Sequence, residues 1–141
     1  MKPEATLKKD LKDIIEQNGG HYQDIESSTG VGIPDVNAFC KEEEFWIETK
    51  IDTGVGVLLR PAQRVWLYKR CRAGGNAFIV CRDYRNGKVS FFWGCSRSPS
   101  GIALPLLIAK HGKYVRVLNE PDMECYSHDL DKRFLEFIGT M

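Results

Sequence analysis

Leu7, Leu11, Ile14 and Ile15 recur at helical spacing, and Asn18-Gly19-Gly20 ends the pattern, so residues 4–17 are predicted to form an amphipathic helix. The period then changes towards two. Short strands are predicted over residues 21–27, 36–39 and 45–51, with a charged turn over residues 40–44. Residues 28–32 read as a glycine-bearing loop and residues 52–56 as a second one, of which residues 53–56 are expected to be mobile and to order on substrate. Pro61 suits the first position of a helix running to about Arg72, where Gly74-Gly75 stops it. Residues 77–81 form an apolar run short enough for a strand buried on both faces. Arg85-Asn86-Gly87-Lys88 is a turn signal, and residues 89–93 return as a strand. Beyond residue 98 the periodicity weakens. The expectation there is a short apolar helix near residues 103–110, a strand near 114–118 and a last helix over about 129–138.

This order predicts an α/β domain with a mixed β-sheet flanked by helices. With 141 residues, a single domain over residues 1–141 is expected: a core over about 4–97 and a C-terminal extension, 98–141, packed on it. A chain 43% hydrophobic and 28% charged has enough apolar material for a core, which argues against a disordered or collagen-like chain. Its longest apolar stretch, residues 101–109, is far short of the roughly 20 residues that span a bilayer and contains Pro105. The first ten residues are charged and lack an apolar run of signal-peptide length, so a soluble protein of the cytoplasm, with no membrane partner, is expected. The five cysteines are odd in number and irregularly spaced. They are read as buried free thiols; Cys125 with His128, or Cys95 with His111, lacks the second matched pair of a zinc site.

Charge changes the picture once it is divided along the chain. Residues 1–57 carry a net −6, residues 58–97 a net +8 and residues 98–141 a net −1. An acidic part followed by a basic one suits a metal-using enzyme on nucleic acid, carboxylates holding the cation and Lys/Arg the phosphates. Scattered solvated faces would give the same totals.

Within the strand over residues 45–51, alternation puts Trp46, Glu48 and Lys50 on one face and Phe45, Ile47, Thr49 and Ile51 on the other. A Glu and a Lys on a largely buried strand need a reason. Pro34-Asp35 places another charge at the entrance of the preceding strand, so pairing through the 40–44 turn lets Asp35 approach Glu48. Two neighbouring carboxylates repel unless a cation or a proton joins them. Asp35, Glu48 and the backbone carbonyl of Thr49 offer hard oxygen ligands to a divalent ion such as Mg²⁺ or Mn²⁺. Lys50 is then placed to orient a water or stabilise charge on a phosphate. A Glu–Lys pair on the surface of an edge strand is the alternative.

Four runs carry a resemblance: Gly32-Ile33-Pro34-Asp35, Trp46-Ile47-Glu48-Thr49-Lys50, Leu59-Arg60-Pro61-Ala62-Gln63-Arg64-Val65-Trp66-Leu67 and Gly74-Gly75-Asn76-Ala77-Phe78-Ile79-Val80. In this order they resemble the PD-(D/E)XK nuclease superfamily, in particular the VRR-NUC group and small phage endonucleases, some related to Holliday-junction resolvases. The resemblance covers about residues 4–82 and implies a restriction-endonuclease-like fold. It implies Asp35 and Glu48 as metal-binding carboxylates, Lys50 as the catalytic lysine and Gln63 as an active-site glutamine on the following helix. Glu4 matches an acid on the family's first helix that faces the metal; an acid favoured by the helix dipole is the other reading. Residues 98–141 have no counterpart in it.

The expected activity is therefore metal-dependent hydrolysis of DNA, duplex or branched. The alternative is a nucleic-acid-binding module that keeps the nuclease fold without cleavage. Arg60 and Arg64 are candidates for phosphate contacts, and Ser28 and Thr29, with Ser27, for a phosphate path into the site. Lys69, Arg70 and Arg72 suit either DNA or their helix C-terminus, and Trp66, Leu67 and Trp93 are read mainly as packing residues. Symmetric cutting of a junction would need a homodimer, for which the apolar residues of 91–108 are the candidate interface.

Overall fold

A computed structural model describes residues 1–26 and 31–141. Helix α1 (Pro3–Gln17) is followed by β1 (His21–Asp24), β2 (Val36–Cys40) and β3 (Glu43–Asp52). The two-residue strand β4 (Leu58–Leu59) leads into α2 (Pro61–Arg72), then β5 (Ala77–Asp83) and β6 (Lys88–Trp93). The extension adds β7 (Cys95–Arg97), β8 (Ala103–Pro105), β9 (Ile108–His111), β10 (Tyr114–Val117) and β11 (Met123–Tyr126). A 3-10 turn then enters α3 (Leu130–Ile138).

The main sheet has the order β1-β2-β3-β5-β6-β11. Only β3 and β5 run parallel, with Glu48 beside Ile79; the other neighbours are antiparallel. The β2–β3 hairpin closes through Lys41 and Glu42, both at positive φ, so the charged turn is a two-residue one whose twist matches the strands. Its register sets Val36 opposite Ile47 and thereby fixes Asp35 near the middle of β3.

Apolar residues fill both faces of this sheet. On one, Leu7, Leu11 and Ile15 of α1 and Phe134, Phe137 and Ile138 of α3 pack on Phe45, Ile47, Phe78, Val80 and Phe91. On the other, Leu67 of α2 and Leu59, Leu106, Val115 and Val117 cover Ile79, Cys81 and Phe92. The result is a mixed sheet flanked by helices, as the element order implied. None of the described helices is long and apolar enough to cross a membrane.

Three expectations change. Residues 103–110 form strands rather than an apolar helix: Pro105 cannot donate a helical hydrogen bond and sits on β8, which pairs only with β7. The apolar region 91–108 divides, with Phe91, Phe92 and Leu106 buried in the two core layers and Ile102, Leu104 and Leu107 exposed. Cys71 and Cys95 form a disulfide across a Cα–Cα distance of 5.8 Å, while Cys40, Cys81 and Cys125 are free and buried. The chain returns past Gly94 hard against α2, where an added Cβ would lie 2.6 Å from the Leu67 carbonyl oxygen, and this close approach brings the two sulfurs together.

Candidate active site

Strand β3 carries Glu48 and Lys50 towards α2, and β2 begins just after Asp35. These side chains meet α1 and the start of α2 around a cleft of about 420 Å³, lined by Glu4, Lys8, Asp35, Glu48, Lys50, Arg60 and Gln63 among others. Another cleft, of about 480 Å³, lies at the N-terminal end of β5. The carboxylate side chain lining it is that of Asp122, which accepts a hydrogen bond from the Trp93 backbone N–H.

Asp35 is held rigidly. Its Oδ1 accepts from the Thr49 backbone N–H (3.0 Å) and its Oδ2 from the Thr49 hydroxyl (2.6 Å). The Asp35 carbonyl accepts in turn from the Ile25 N–H (2.9 Å). In a strand, the N–H and C=O of one residue point to the same edge, so the Thr49 carbonyl also faces the side where β2 has ended. Gly32, at φ +80°, packs against the first turn of α2, where an added Cβ would fall 2.2 Å from the Ala62 carbonyl oxygen. Only glycine permits that approach, which ties the loop bearing Asp35 to the helix bearing Gln63.

Gln63 links the remaining groups. Its Oε1 accepts from Lys50 Nζ (3.1 Å) and from the Arg60 backbone N–H (2.8 Å), and its Nε2 donates to Glu48 Oε2 (3.2 Å). Two donors on one side and a carboxylate on the other dictate the orientation of the amide. Lys50 Nζ lies 3.7 Å from Glu48 Oε2. Glu48, Thr49 and Gln63 are the buried polar side chains among the described residues, and all three belong to this constellation.

Burial pushes the Glu48 carboxyl up to about 8, and the Asp35 charge adds to the effect. The positive charges of Lys50 and Arg60 oppose it without reversing it. Lys8 was not singled out by its sequence context. Its Nζ is 3.3 Å from Asp35 Oδ2 and 3.9 Å from Glu4 Oε1, and although burial lowers its pKa, the Asp35 carboxylate raises it further. The signal available was the i, i+4 spacing of Glu4 and Lys8 on α1.

The other candidates separate. Arg60 is exposed at the lip of the cleft. Arg64 turns towards the extension, where its Nη2 donates to the Leu106 carbonyl (2.8 Å). Arg70 stacks on Trp66 and Trp46, with its guanidinium carbon 4.7 and 5.5 Å from the ring centroids. Glu4 lines the cleft but is mostly exposed, with Lys8 as its ionic neighbour. Ser28 and Thr29, with Ser27, lie outside the described residues. The loop after β3 is anchored, because Asp52 Oδ1 accepts from the N–H groups of Gly54 (2.7 Å) and Gly56 (3.0 Å).

The donor set is one of hard oxygens: two carboxylates, the Thr49 carbonyl and, further out, Glu4. Among the described residues no three His, Cys, Asp or Glu side chains close into a ready-made cage.

No protein-family model and no curated protein matches the sequence. Among solved structures, the chain is similar to a Holliday junction resolvase from the archaeal hyperthermophile Archaeoglobus fulgidus. The TM-score is 0.52 at 15% identity, covering 90% of this chain and 86% of that one. The chain has the restriction-endonuclease-like fold. A VRR_NUC domain also aligns, with a TM-score of 0.49 at 19% identity over 58% of this chain and 86% of that one. In this fold the cleft lies beside β3, between the first turns of α1 and α2, where both helices present their N-termini.

Proposed function

We propose that the protein is a Mg²⁺- or Mn²⁺-dependent endonuclease that hydrolyses phosphodiester bonds in DNA, with branched DNA such as a Holliday junction among its candidate substrates. One observation carries this reading: the buried polar side chains of the described protein converge beside Asp35 in an open cleft. Burying a carboxylate beside a second one costs free energy, which a cation shared by the two would offset. Two further observations support the choice of nucleic acid. The Archaeoglobus fulgidus relative is a Holliday junction resolvase, and residues 58–97 of this chain carry a net charge of +8.

Asp35, Glu48 and the Thr49 carbonyl are the residues proposed to hold the cation, with Glu4 facing it from α1. A divalent ion, when bound there, would supply neutralisation of the scissile phosphate and acidification of a water. The protein's own groups do the rest. Thr49 fixes both oxygens of Asp35, so the carboxylate needs no reorganisation. Gln63 holds Glu48 and Lys50 at a set spacing. Lys50 faces the cleft, 3.7 Å from Glu48 Oε2, where it orients the attacking water and stabilises charge on the phosphate. Lys8 balances the Asp35 charge in the ion-free protein. A two-fold dimer is the form in which a junction would be cut symmetrically.

The test is incubation of the purified protein with supercoiled, linear and four-way-junction DNA in Mg²⁺, Mn²⁺ or EDTA, beside Asp35→Ala and Lys50→Ala. The expected result is metal-dependent cleavage that falls at least about 10³-fold in both variants. Salt-sensitive binding without cleavage in any metal would overturn the enzymatic reading and leave a DNA-binding module.

A further inference from the structure

Between Asp83 and Glu120 the chain contains no Asp or Glu, yet it holds Arg85, Lys88, Arg97, Lys110, Lys113 and Arg116. Three of these sit on the β9–β10 hairpin in the extension: Lys110, Lys113 and Arg116, together with His111, all exposed. The ion pairs of the described residues lie elsewhere in the molecule, so none of the hairpin charges is spent on a carboxylate. Lys113 Nζ stands 5.4 Å from the centre of the Tyr114 ring, adding an aromatic surface beside the charge.

The hairpin is built into the edge of the cleft. β10 pairs with β4, Arg116 opposite Leu58 and Val115 opposite Leu59, and the Val117 N–H donates to the Val57 carbonyl (3.0 Å). Residues directly opposite in a sheet share a face, and the face repeats every second residue. Leu59, Val115 and Val117 are buried, so Leu58, Arg116 and Tyr114 lie on the outer face, with His111 opposite Tyr114. Arg60 still has extended backbone angles (φ −69°, ψ 146°), so it continues the outer face of β4, and one further step of the register sets it across from Tyr114. Arg116 reaches the loop after β3, where a Cβ on Gly56 would lie 3.4 Å from its Cδ. Arg60, Tyr114, Arg116 and His111 therefore share an outer face beside the lip of the cleft, with Lys113 in the adjoining turn; Lys110, opposite Val115, is exposed on the other face of the edge strand β9.

We propose that the β9–β10 hairpin is a phosphate-gripping arm that holds the DNA duplex alongside the cleft. The proposal rests on the endonuclease reading and gives residues 98–141 a task in it. Contacts of this kind position the duplex and carry no sequence information. Because two paired strands and the two-residue turn that joins them carry the charges, the arm presents them at a set spacing, which lowers the ordering cost of each contact.

The test compares wild type, the triple variant Lys110→Gln/Lys113→Gln/Arg116→Gln and a control, Lys12→Gln/Lys132→Gln, which removes exposed charges on α1 and α3. Binding of a labelled duplex is followed in EDTA across a salt series, and cleavage in Mg²⁺ is followed separately. In the triple variant we expect affinity at least about 10-fold weaker and a log–log salt slope shallower by about 2–3, as for two or three lost phosphate contacts, with an unchanged control. Its cleavage should show a raised KM and a retained kcat. A triple variant with the wild-type slope and affinity, or a control that weakens equally, overturns the arm while leaving wild-type cleavage to support the endonuclease. Wild-type protein that binds through the arm and never cleaves overturns the endonuclease and leaves the arm. Wild-type protein that binds no DNA overturns both.

Discussion

On one face of β3, Phe45 and Ile47 lie in a layer of phenylalanines: the Phe45 and Phe134 ring centres are 6.0 Å apart, and those of Phe78 and Phe137 are 4.8 Å apart. On the other face of the same strand, Glu48 is 4% exposed and answers to Gln63, Lys50 and Asp35 instead of to apolar neighbours. Ten residues of one strand thus serve two solvents. The aromatic face gains free energy from burial, each large side chain contributing about 1.5–3 kcal/mol. The polar face gives some of it back, because a carboxylate held out of water beside a second carboxylate is unfavourable to ionise.

The contrast breaks first at the aromatic face. Phe134→Ala should cost about 3–5 kcal/mol of stability by denaturant melts, through the cavity it leaves under Phe45 and Phe91. Cleavage per folded molecule should stay near wild type, since Phe134 touches no group of the cleft.

Glu48→Gln should move in the opposite direction. In the folded protein Glu48 titrates near 8 rather than at its ordinary 4.5. Between those values the native state keeps a proton that the unfolded chain has released, so the contribution of Glu48 to stability falls as pH rises from about 4.5 to about 8. Removing the charge should make the ion-free protein more stable at pH 8, by on the order of a few kcal/mol, and flatten its pH dependence in that window. Melts of both proteins at pH 5 and pH 8 check this, and an equal slope in the two would contradict it.

Gln63→Ala should be gentler: cleavage lower by about 10–100-fold, with the residues proposed to hold the cation still in place but Glu48 and Lys50 no longer held at a set spacing. Steady-state rates on a plasmid substrate measure it.

Much of this contrast was legible in the chain, for reasons that differ between elements. α1 shows regular apolar spacing from Leu7 to Ile15, and the shorter α3 repeats it from Leu130 to Ile138, a signal carried by each segment itself. Asp35, Glu48 and Lys50 were legible because alternation and a short hairpin turn are local properties that fix their mutual approach. In the extension the strand near 114–118 was legible, as β10, but β8, β9 and β11 were not, because they have only three or four residues each and draw their order from partners far away in sequence. Lys8 was hidden for the same reason: its role comes from Asp35, which α1 meets only after folding. The Arg64 side chain, a candidate for phosphate, is committed to the Leu106 carbonyl, a partner 42 residues away. The disulfide between Cys71 and Cys95 likewise depends on the close approach of Gly94 to α2, which spacing alone does not reveal.

Asp35 and Glu48 are proposed to form one cation site on the polar face of β3, and calorimetric titration of Mn²⁺ into the ion-free protein tests this without reference to activity. Wild type should show saturable binding, with Asp35→Asn weaker by at least about 10-fold at unchanged folded content. Equal Mn²⁺ binding by the two proteins, or none by wild type, would contradict the account.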